Sequence, residues 1–246
     1  MNIEYHKWYS ERLGRDMELK VYGHSGKPFI IFPCQGGRFF ESEDFGMIDA
    51  ISYLINDGRV KVFTVDGIDN ESWANYGIHP ADRAVRHNQY DSYVMNEVVP
   101  FIRSHCQSPD IKIALTGFSM GAYHAANFYF RHPYIFDVTI AISGLYDMKM
   151  FLGDYMDDNV YYNSPINFLG NMQDEVILNQ YRQGKIVICT GQGAWEEEML
   201  EDTYQMKAIL EQKQIPALID IWGHDVNHDW PWWKKMLPHF IEKLGF

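Results

Sequence analysis

The sequence LTGFSMGAYHA at residues 115–125 contains the pattern G-x-S-x-G, with Ser119 between Gly117 and Gly121. An apolar, strand-like run precedes the pattern, and a helix-compatible run follows it. This context is typical of a nucleophile elbow, a strained turn that presents a serine hydroxyl above the edge of a sheet. Glycine at the outer positions removes a Cβ that would collide with the neighbouring strand and helix. The pattern predicts Ser119 as a nucleophile; the alternative is a tight turn with a helix-capping serine.

Length and composition indicate one α/β domain, residues 1–246, that binds neither nucleic acid nor membrane. The chain has 246 residues and a formal net charge of −12, whereas binding to phosphates requires clustered Lys and Arg. No apolar run reaches the length of a membrane span, and residues 1–10 lack the apolar core of a signal peptide, so a cytoplasmic location is expected. The cysteines Cys34, Cys106 and Cys189 are widely spaced, which predicts neither a disulfide framework nor a metal site.

Strand-like and helix-like segments alternate along most of the chain. Alternating runs at residues 3–9 and 16–22 predict an antiparallel edge hairpin. Further strands and helices are predicted as follows: strands at 28–33, 60–65, 111–115, 138–142, 186–190 and 217–222, and helices at 45–55, 90–106, 122–128, 196–212 and 230–244. Residues 66–88 read as a long loop, and residues 145–184 as a poorly patterned segment with two short helices. The alternation predicts a mostly parallel sheet with an antiparallel N-terminal edge and helices on both faces.

The active site of such a sheet lies at the carboxyl ends of its strands. A serine nucleophile there needs an oxyanion hole of two backbone N–H donors. Met120, which follows Ser119, is predicted to supply one. Gln35 or Gly36, in the glycine-rich loop after residues 28–33, is predicted to supply the other, because glycine lets a backbone N–H approach a ligand closely. A plain glycine turn is the alternative for this loop.

A general base is expected in the loop after the last strand, since the chain order in α/β-hydrolases is Ser, then Asp or Glu, then His. Two histidines lie there, His224 and His228. His228 is favoured because it immediately precedes the closing helix. The two histidines also resemble the zinc pattern H-E-x-x-H, but that pattern needs a helix, and no third ligand is evident. No metal is therefore predicted.

The acid of the triad should follow the strand at residues 186–190. No residue of 191–195 carries a carboxylate, and the first candidates are Glu196, Glu197 and Glu198. Glu196 is favoured because it is closest to the end of the strand, and Glu197 is the alternative. Acidic residues are also favoured in the first turn of any helix by the helix dipole, which is the competing explanation.

Five segments resemble the putative-esterase family of α/β-hydrolases, which includes S-formylglutathione hydrolases, feruloyl and acetylxylan esterases and mycolyltransferases. The segments are PFIIFPCQGGRFFESEDFG, YDSYVMNEVVPFIRSH, LTGFSMGAYHAANFYFRHPYIF, CTGQGAWEEE and WGHDVNHDWPWW. The resemblance implies a serine hydrolase with Ser119 as nucleophile and His228 as base, and a helix carrying Glu97 that packs near the elbow. Many relatives have an Asp soon after the strand where this chain has a run of glutamates, so the acid is the least determined member.

These observations predict a cytoplasmic serine carboxylesterase that hydrolyses a small acyl, aryl or sugar ester through Ser119, His228 and Glu196, without cofactor or metal. Acyl transfer and thioester hydrolysis use the same machinery and stay open, as does a non-catalytic binding protein on a hydrolase fold. Aromatic residues in the loops predict walls of a substrate pocket at Trp73, Tyr76 and Tyr146. Aromatic residues near the N-terminus are compatible with a homodimer: Tyr5, Trp8 and Tyr9.

Overall fold

Eight strands form a single sheet in the computed structural model, which describes residues 1–246. In chain order they are β1 Ile3–Ser10, β2 Arg15–Tyr22, β3 Lys27–Phe32, β4 Val60–Val65, β5 Ile113–Phe118, β6 Phe136–Ile142, β7 Lys185–Thr190 and β8 Leu218–Ile221. Across the sheet the order is β1-β2-β4-β3-β5-β6-β7-β8. β2 pairs antiparallel with both β1 and β4, and all other pairs are parallel. The predicted sheet with its antiparallel N-terminal edge is confirmed.

Twelve α-helices connect and cover these strands. They are α1 Glu41–Asp44, α2 Met47–Ala50, α3 Ser52–Asn56, α4 Pro80–Tyr93, α5 Val99–His105, α6 Met120–Arg131, α7 Lys149–Leu152, α8 Asp158–Tyr161, α9 Pro165–Gly170, α10 Glu175–Gln183, α11 Glu197–Gln212 and α12 Trp230–Lys243. A 3₁₀ turn occupies Asp69–Glu71, and a π-helical turn at Val94–Val98 joins α4 to α5. The longest apolar stretch of any helix is too short to cross a membrane.

The continuous apolar runs of the central strands are explained by two hydrophobic cores, one on each face of the sheet. In β3, Phe29 and Ile31 pack with residues of α3 and α12, whereas Ile30 and Phe32 pack with residues of α4, α6 and α11. Successive side chains of a strand point to opposite faces. A strand that is covered on both faces therefore needs apolar residues at every position.

The helix predicted at residues 45–55 is wrong, because the segment forms two separate turns of helix, α2 and α3. The helical path breaks at Ile51, whose φ is −108° and ψ is 9°. Each turn buries its own apolar residues, Met47 in α2 and Leu54 in α3. The apolar residues are buried on helical turns as predicted, but these turns do not form one continuous helix.

The loop predicted at residues 66–88 is too long, since α4 begins at Pro80. His79 caps the helix by accepting a hydrogen bond from the Ala81 N–H at 3.2 Å. Proline is favoured in the first helical turn, because its missing N–H would have no partner there. The start signal was present in the sequence, but histidine is an uncommon cap.

Pro100 lies within the helix predicted at residues 90–106, where a proline favours a kink or a helix boundary. It is the second residue of α5, directly after the π-helical turn. A proline lacks the N–H that an α-helix needs at an interior position. The π-helical turn absorbs this defect, so the chain continues in helical form from α4 into α5.

Residues 145–184 contain more helix than predicted, with the four short helices α7 to α10. Asp157 caps α8 by accepting from the Val160 N–H at 2.8 Å, and Asp174 caps α10 by accepting from the Val176 N–H at 2.8 Å. Each helix is short, so its apolar pattern covers only one or two turns. Such a brief pattern does not separate helix from loop in the sequence alone.

Candidate active site

Ser119 occupies a strained turn between β5 and α6. Its φ of 55° and ψ of −123° lie outside the regions that non-glycine residues normally adopt, which costs about 1–3 kcal/mol. The turn is held by the Ser119 N–H, which donates to the Ile142 carbonyl of β6 at 3.1 Å. The Ser119 side chain makes no capping hydrogen bond to the helix. The alternative of a capping serine therefore does not apply, and the half-buried hydroxyl is left for other partners.

The two glycines of the motif are required by close packing of β3, β5 and α6. A Cβ on Gly117 would lie 2.3 Å from the backbone of Gly121, and a Cβ on Gly121 would lie 2.4 Å from the Phe32 carbonyl oxygen. No real Cβ contact is that short. The serine can therefore sit on this turn only because glycine lets the helix approach both strands.

Glu196 lies buried at the ends of β6 and β7, immediately before α11. Its side chain has no exposed surface. Oε1 accepts a hydrogen bond from the Ser143 hydroxyl at 2.5 Å, and Oε2 accepts one from the Thr190 hydroxyl at 2.8 Å. Glu197 is exposed as the first residue of α11. Of the two predicted acids, only Glu196 has its carboxylate directed into the end of the sheet.

His228 faces this carboxylate from the loop between β8 and α12. Its Nδ1 lies 3.4 Å from Glu196 Oε2. This is the separation of an ion pair, longer than an ideal hydrogen bond, and Nδ1 has no other partner. Catalytic hydrogen bonds are often long before substrate binds. The imidazole packs edge-on against Trp233 at 5.0 Å between ring centroids, which fixes its plane.

The loops that carry Glu196 and His228 are joined through their backbones. The Gly193 N–H donates to the Val226 carbonyl at 2.8 Å, and the His228 N–H donates to the Ala194 carbonyl at 3.0 Å. A Cβ on Gly191 would lie 2.1 Å from that same Val226 oxygen. The glycines after β7 therefore allow the loop of Glu196 to touch the loop of His228, which sets the spacing of the two side chains.

The residues predicted for an oxyanion hole follow β3 and β5. Met120 is the first residue of α6, where a backbone N–H has no acceptor within the helix. After β3, the Cys34 N–H donates to Glu41 at 2.7 Å and the Gly37 N–H donates to Cys34 at 2.9 Å. The N–H groups of Gln35 and Gly36 donate to no acceptor within the protein. The structure thus leaves these donors available, and their role stays a prediction.

Residues 10–244 match the sequence profile of the family described as putative esterase. The chain belongs to the putative esterase family. Comparison with curated proteins gives no match to this sequence.

Three solved structures share the fold of this esterase over nearly its whole length. A ferulic acid esterase superposes with a TM-score of 0.77 at 17% identity, covering 99% of this chain and 98% of that chain. The S-formylglutathione hydrolase of Staphylococcus aureus gives a TM-score of 0.73 at 14% identity, covering 99% and 96%. MPT51 of Mycobacterium tuberculosis gives 0.73 at 14% identity, covering 99% and 98%. The fold is the α/β-hydrolase fold, and the family match supports hydrolysis of carboxylic ester bonds.

Three residues around Glu196, the predicted acid of the esterase, were not singled out from the sequence: Ser143, Thr190 and Trp233. Ser143 both donates to Glu196 and accepts from the Trp233 indole N–H at 3.0 Å. Its φ of 56° is unusual for a non-glycine residue. The only sequence signal was its place in a Ser-Gly pair directly after a strand. The hydroxyl's partners lie 53 and 90 residues away, which no local pattern can reveal.

The predicted pocket residues of the esterase differ in exposure. Trp73 and Tyr146 have no exposed surface and pack inside hydrophobic cores, so they do not form the wall of an open pocket here. Tyr76 is 64% exposed and lies under the guanidinium of Arg83 at 4.9 Å. Large aromatic residues are favoured in cores as well as at sites, and the sequence alone did not separate the two cases.

Other predicted residues also have defined places in the esterase. His224 is exposed in the loop before His228. The helical segment that carries Glu97 continues from α4, where Tyr90 packs against His124 and Phe128 of the elbow helix α6. The Glu97 carboxylate itself accepts hydrogen bonds from the Trp8 indole and the Ser10 hydroxyl, both at 2.8 Å, and so anchors strand β1. Of the N-terminal aromatic residues, Tyr5 and Tyr9 are exposed and Trp8 is half-buried.

Proposed function

We propose that the esterase hydrolyses a small neutral ester through Ser119, His228 and Glu196, with an acyl-enzyme intermediate. The observation that carries the proposal is the buried Glu196 carboxylate 3.4 Å from His228 Nδ1, in a chain whose G-x-S-x-G serine sits on a strained turn. A buried acid beside an imidazole orients the ring and stabilises its charged form. This is the support that a serine nucleophile requires.

In the proposed reaction Ser119 Oγ attacks the ester carbonyl while His228 Nε2 accepts the hydroxyl proton. The Glu196 carboxylate stabilises the imidazolium without itself becoming protonated. The N–H groups of Met120 and of Gln35 or Gly36 bind the oxyanion. His228 then returns the proton to the leaving alcohol. A water molecule, deprotonated by His228, releases the acid from Ser119.

A neutral substrate is favoured by the charge around the strand ends. A cavity of about 330 Å³ lies along the first turns of α11, and its charged lining consists of four carboxylic acids and one lysine: Asp147, Glu198, Glu201, Asp202 and Lys149. Burial raises the pKa of Asp202 to about 6. The chain as a whole carries a formal net charge of −12. An anionic ester would be repelled by this surface.

An aryl or sugar group is favoured by aromatic side chains that border the loops of Glu196 and His228. Trp195, which precedes Glu196, is 79% exposed. Phe45 is 51% exposed and stacks on Trp230 with a centroid distance of 4.8 Å. Exposed aromatic faces bind other rings and sugar faces well, since they provide apolar area with few rotatable bonds.

The test is hydrolysis of p-nitrophenyl acetate and labelling by a fluorophosphonate probe, with wild type beside Ser119→Ala and His228→Gln. Each substitution is expected to lower kcat by at least about 10⁴-fold, because the triad acts as a unit. The probe should label wild type and not Ser119→Ala. Ser104→Ala, at an exposed serine of α5, is the matched control and should retain full activity and labelling.

Unchanged turnover or labelling in Ser119→Ala would contradict the assignment of the nucleophile. The substrate class is then examined with neutral aryl acetates, sugar acetates, a thioester and an ester that carries a carboxylate. The neutral aryl and sugar esters are expected to give the highest kcat/KM. A preference for the anionic ester would overturn the proposed substrate class but not the triad.

A further inference from the structure

Glu4, His6 and His105 form a cluster at the sheet edge farthest from the proposed active site. Glu4 and His6 are two residues apart on β1, so they lie on the same face of the strand. His105 is the last residue of α5, which covers that face. In the sheet order, strands β2, β4 and β3 separate β1 from the elbow strand β5. The cluster therefore has no part in the reaction proposed for Ser119.

The separations within this cluster match those of a metal site. Tetrahedral Zn²⁺ with bonds of about 2.0–2.1 Å places its ligand atoms about 3.3 Å from one another. Glu4 Oε2 lies 3.3 Å from His6 Nε2 and 3.0 Å from His105 Nε2. All three ligand atoms lie within 4.8 Å of one another. Small side-chain rotations would bring the two imidazoles to the required separation.

We propose that Glu4, His6 and His105 bind a divalent transition-metal ion of the Zn²⁺ type. Two imidazoles and one carboxylate are ligands that this class of ion prefers. When the ion binds, Nε2 of each imidazole coordinates it in place of donating an N–H to the carboxylate. Each ring then carries its proton on Nδ1. Three protein ligands leave a fourth position for water. The ion would join the edge strand β1 to helix α5.

The three ligands are held in place before any ion binds. The His6 ring packs against Phe101 at 4.8 Å, and the His105 ring packs edge-on against Phe63 at 5.7 Å and an interplanar angle of 90°. The Asn2 amide donates to the other carboxylate oxygen, Glu4 Oε1, at 2.8 Å. These contacts leave Oε2 to face the imidazoles. Ligands that are already oriented lose less conformational freedom on binding.

The cluster is also accessible to an ion. The side chains of His6 and Glu4 are 31% and 36% exposed, and that of His105 is 16% exposed. A surface ion pair with this exposure contributes little to stability. A metal site differs from such a pair in binding one ion per chain and in stabilising the folded state by mass action.

The test is a calorimetric titration of the whole protein with Zn²⁺ after dialysis against a chelator. Wild type is expected to bind one ion per chain, and its thermal midpoint should rise with Zn²⁺. His105→Gln and Glu4→Gln should each weaken binding by at least about 10-fold, since even outer-shell substitutions at metal sites have effects of this size. His24→Gln, at an exposed histidine outside the cluster, is the control and should bind as wild type does.

Two results would overturn the proposal. One is the absence of Zn²⁺ binding by wild type up to 100-fold excess of ion. The other is binding that persists in Glu4→Gln and His105→Gln but is lost in His224→Gln, which would place the ion at the loop of His228. His6→Gln supplies a third variant, at the more exposed of the two imidazoles, in case His105→Gln destabilises the folded state. Esterase activity should be unchanged in all three cluster variants.

Discussion

Two clusters of histidine and glutamate in this esterase have similar distances and opposite surroundings. At the strand ends, His228 Nδ1 lies 3.4 Å from Glu196, whose side chain has no exposed surface. At the hairpin edge, His105 Nε2 lies 3.0 Å from Glu4, whose side chain is 36% exposed. Glu196 also accepts hydrogen bonds from two hydroxyls, whereas Glu4 accepts from a second imidazole and an amide.

The difference shows that burial and hydrogen-bond donors, more than distance, decide what such a cluster can do. A buried carboxylate that accepts two hydroxyl donors stays in one orientation and directs a single imidazole, which suits acid–base catalysis. An exposed carboxylate between two imidazoles is screened by solvent and contributes little as an ion pair. Because Glu4 remains open to solvent and Glu196 does not, the Glu4 cluster is the one that an ion can enter.

A third His–carboxylate pair shows that a short distance alone does not make a catalytic or ion-binding site. His124 Nε2 lies 2.9 Å from Asp69 Oδ1, and both side chains are 2% exposed. His124 is part of α6 and packs against His87 with a centroid distance of 5.4 Å. No substrate can reach a pair so enclosed, so it belongs to the packing beneath the elbow helix.

The largest expected effect is the difference in kcat/KM between the same Glu→Gln substitution made in each of the two clusters. Glu196→Gln should lower kcat/KM by about 10³–10⁴-fold, because a neutral amide cannot stabilise the imidazolium. Glu4→Gln should leave kcat/KM within about twofold, since it lies outside the reaction. Steady-state hydrolysis of p-nitrophenyl acetate measures both, and Glu197→Gln serves as a control at the neighbouring exposed position. Equal losses in Glu196→Gln and Glu197→Gln would remove the distinction between the two acids.

A smaller effect on kcat/KM is expected from removing the Ser143 hydroxyl, which donates a hydrogen bond to Glu196. Ser143→Ala removes one donor to the carboxylate and leaves the Trp233 indole N–H without its acceptor. The loss of a hydrogen bond to a charged group is worth about 1.5–3 kcal/mol, so kcat/KM should fall about 10- to 100-fold. The kinetics should be measured together with urea unfolding. An unchanged kcat/KM with lower stability would show that Ser143 supports the fold and not the acid.

The hairpin edge should respond to substitution in stability and not in activity. Glu97→Ala leaves the Trp8 indole and the Ser10 hydroxyl without their acceptor, which should lower the free energy of unfolding by about 1–3 kcal/mol. Urea denaturation measures this loss, with Glu11→Ala at an exposed position as control. Activity of the folded protein should stay within about twofold of wild type. A large loss of kcat with unchanged stability would contradict the structural role of Glu97.

The smallest effect is the pH dependence of the Glu4 cluster without metal. The hydrogen bond from His105 lowers the pKa of Glu4 below its ordinary value. A lowered carboxyl pKa adds stability above the unfolded-state pKa, and this stability disappears as the pH falls through the folded-state pKa. Glu4→Gln should therefore be less stable than wild type by under about 1 kcal/mol at pH 7 and equal to it near pH 3. Chelator-treated samples compared by urea unfolding at both pH values test this; a difference that grows on acidification would reverse the assigned direction.

Much of the fold could be predicted because it depends on local patterns. The apolar runs predicted the central strands, since a strand covered on both faces cannot carry polar residues at alternate positions. The G-x-S-x-G pattern predicted the elbow, since only glycine fits where α6 meets β3. The break at Ile51 was not predicted, because tertiary packing overrides weak local preferences at such points. The start of α4 was not predicted because its cap, His79, is an uncommon capping residue.

The sequence by itself determined that a serine, a group of glutamates and a pair of histidines follow separate strands. Chain order and strand ends are local properties, so Ser119, Glu196 and His228 could be chosen without coordinates. Only the tertiary structure decided that Glu196 is buried between hydroxyls that lie 6 and 53 residues away, and that Glu4 meets His105 across 101 residues. Sheet pairing and helix packing bring these residues together, and neither leaves a local pattern in the chain.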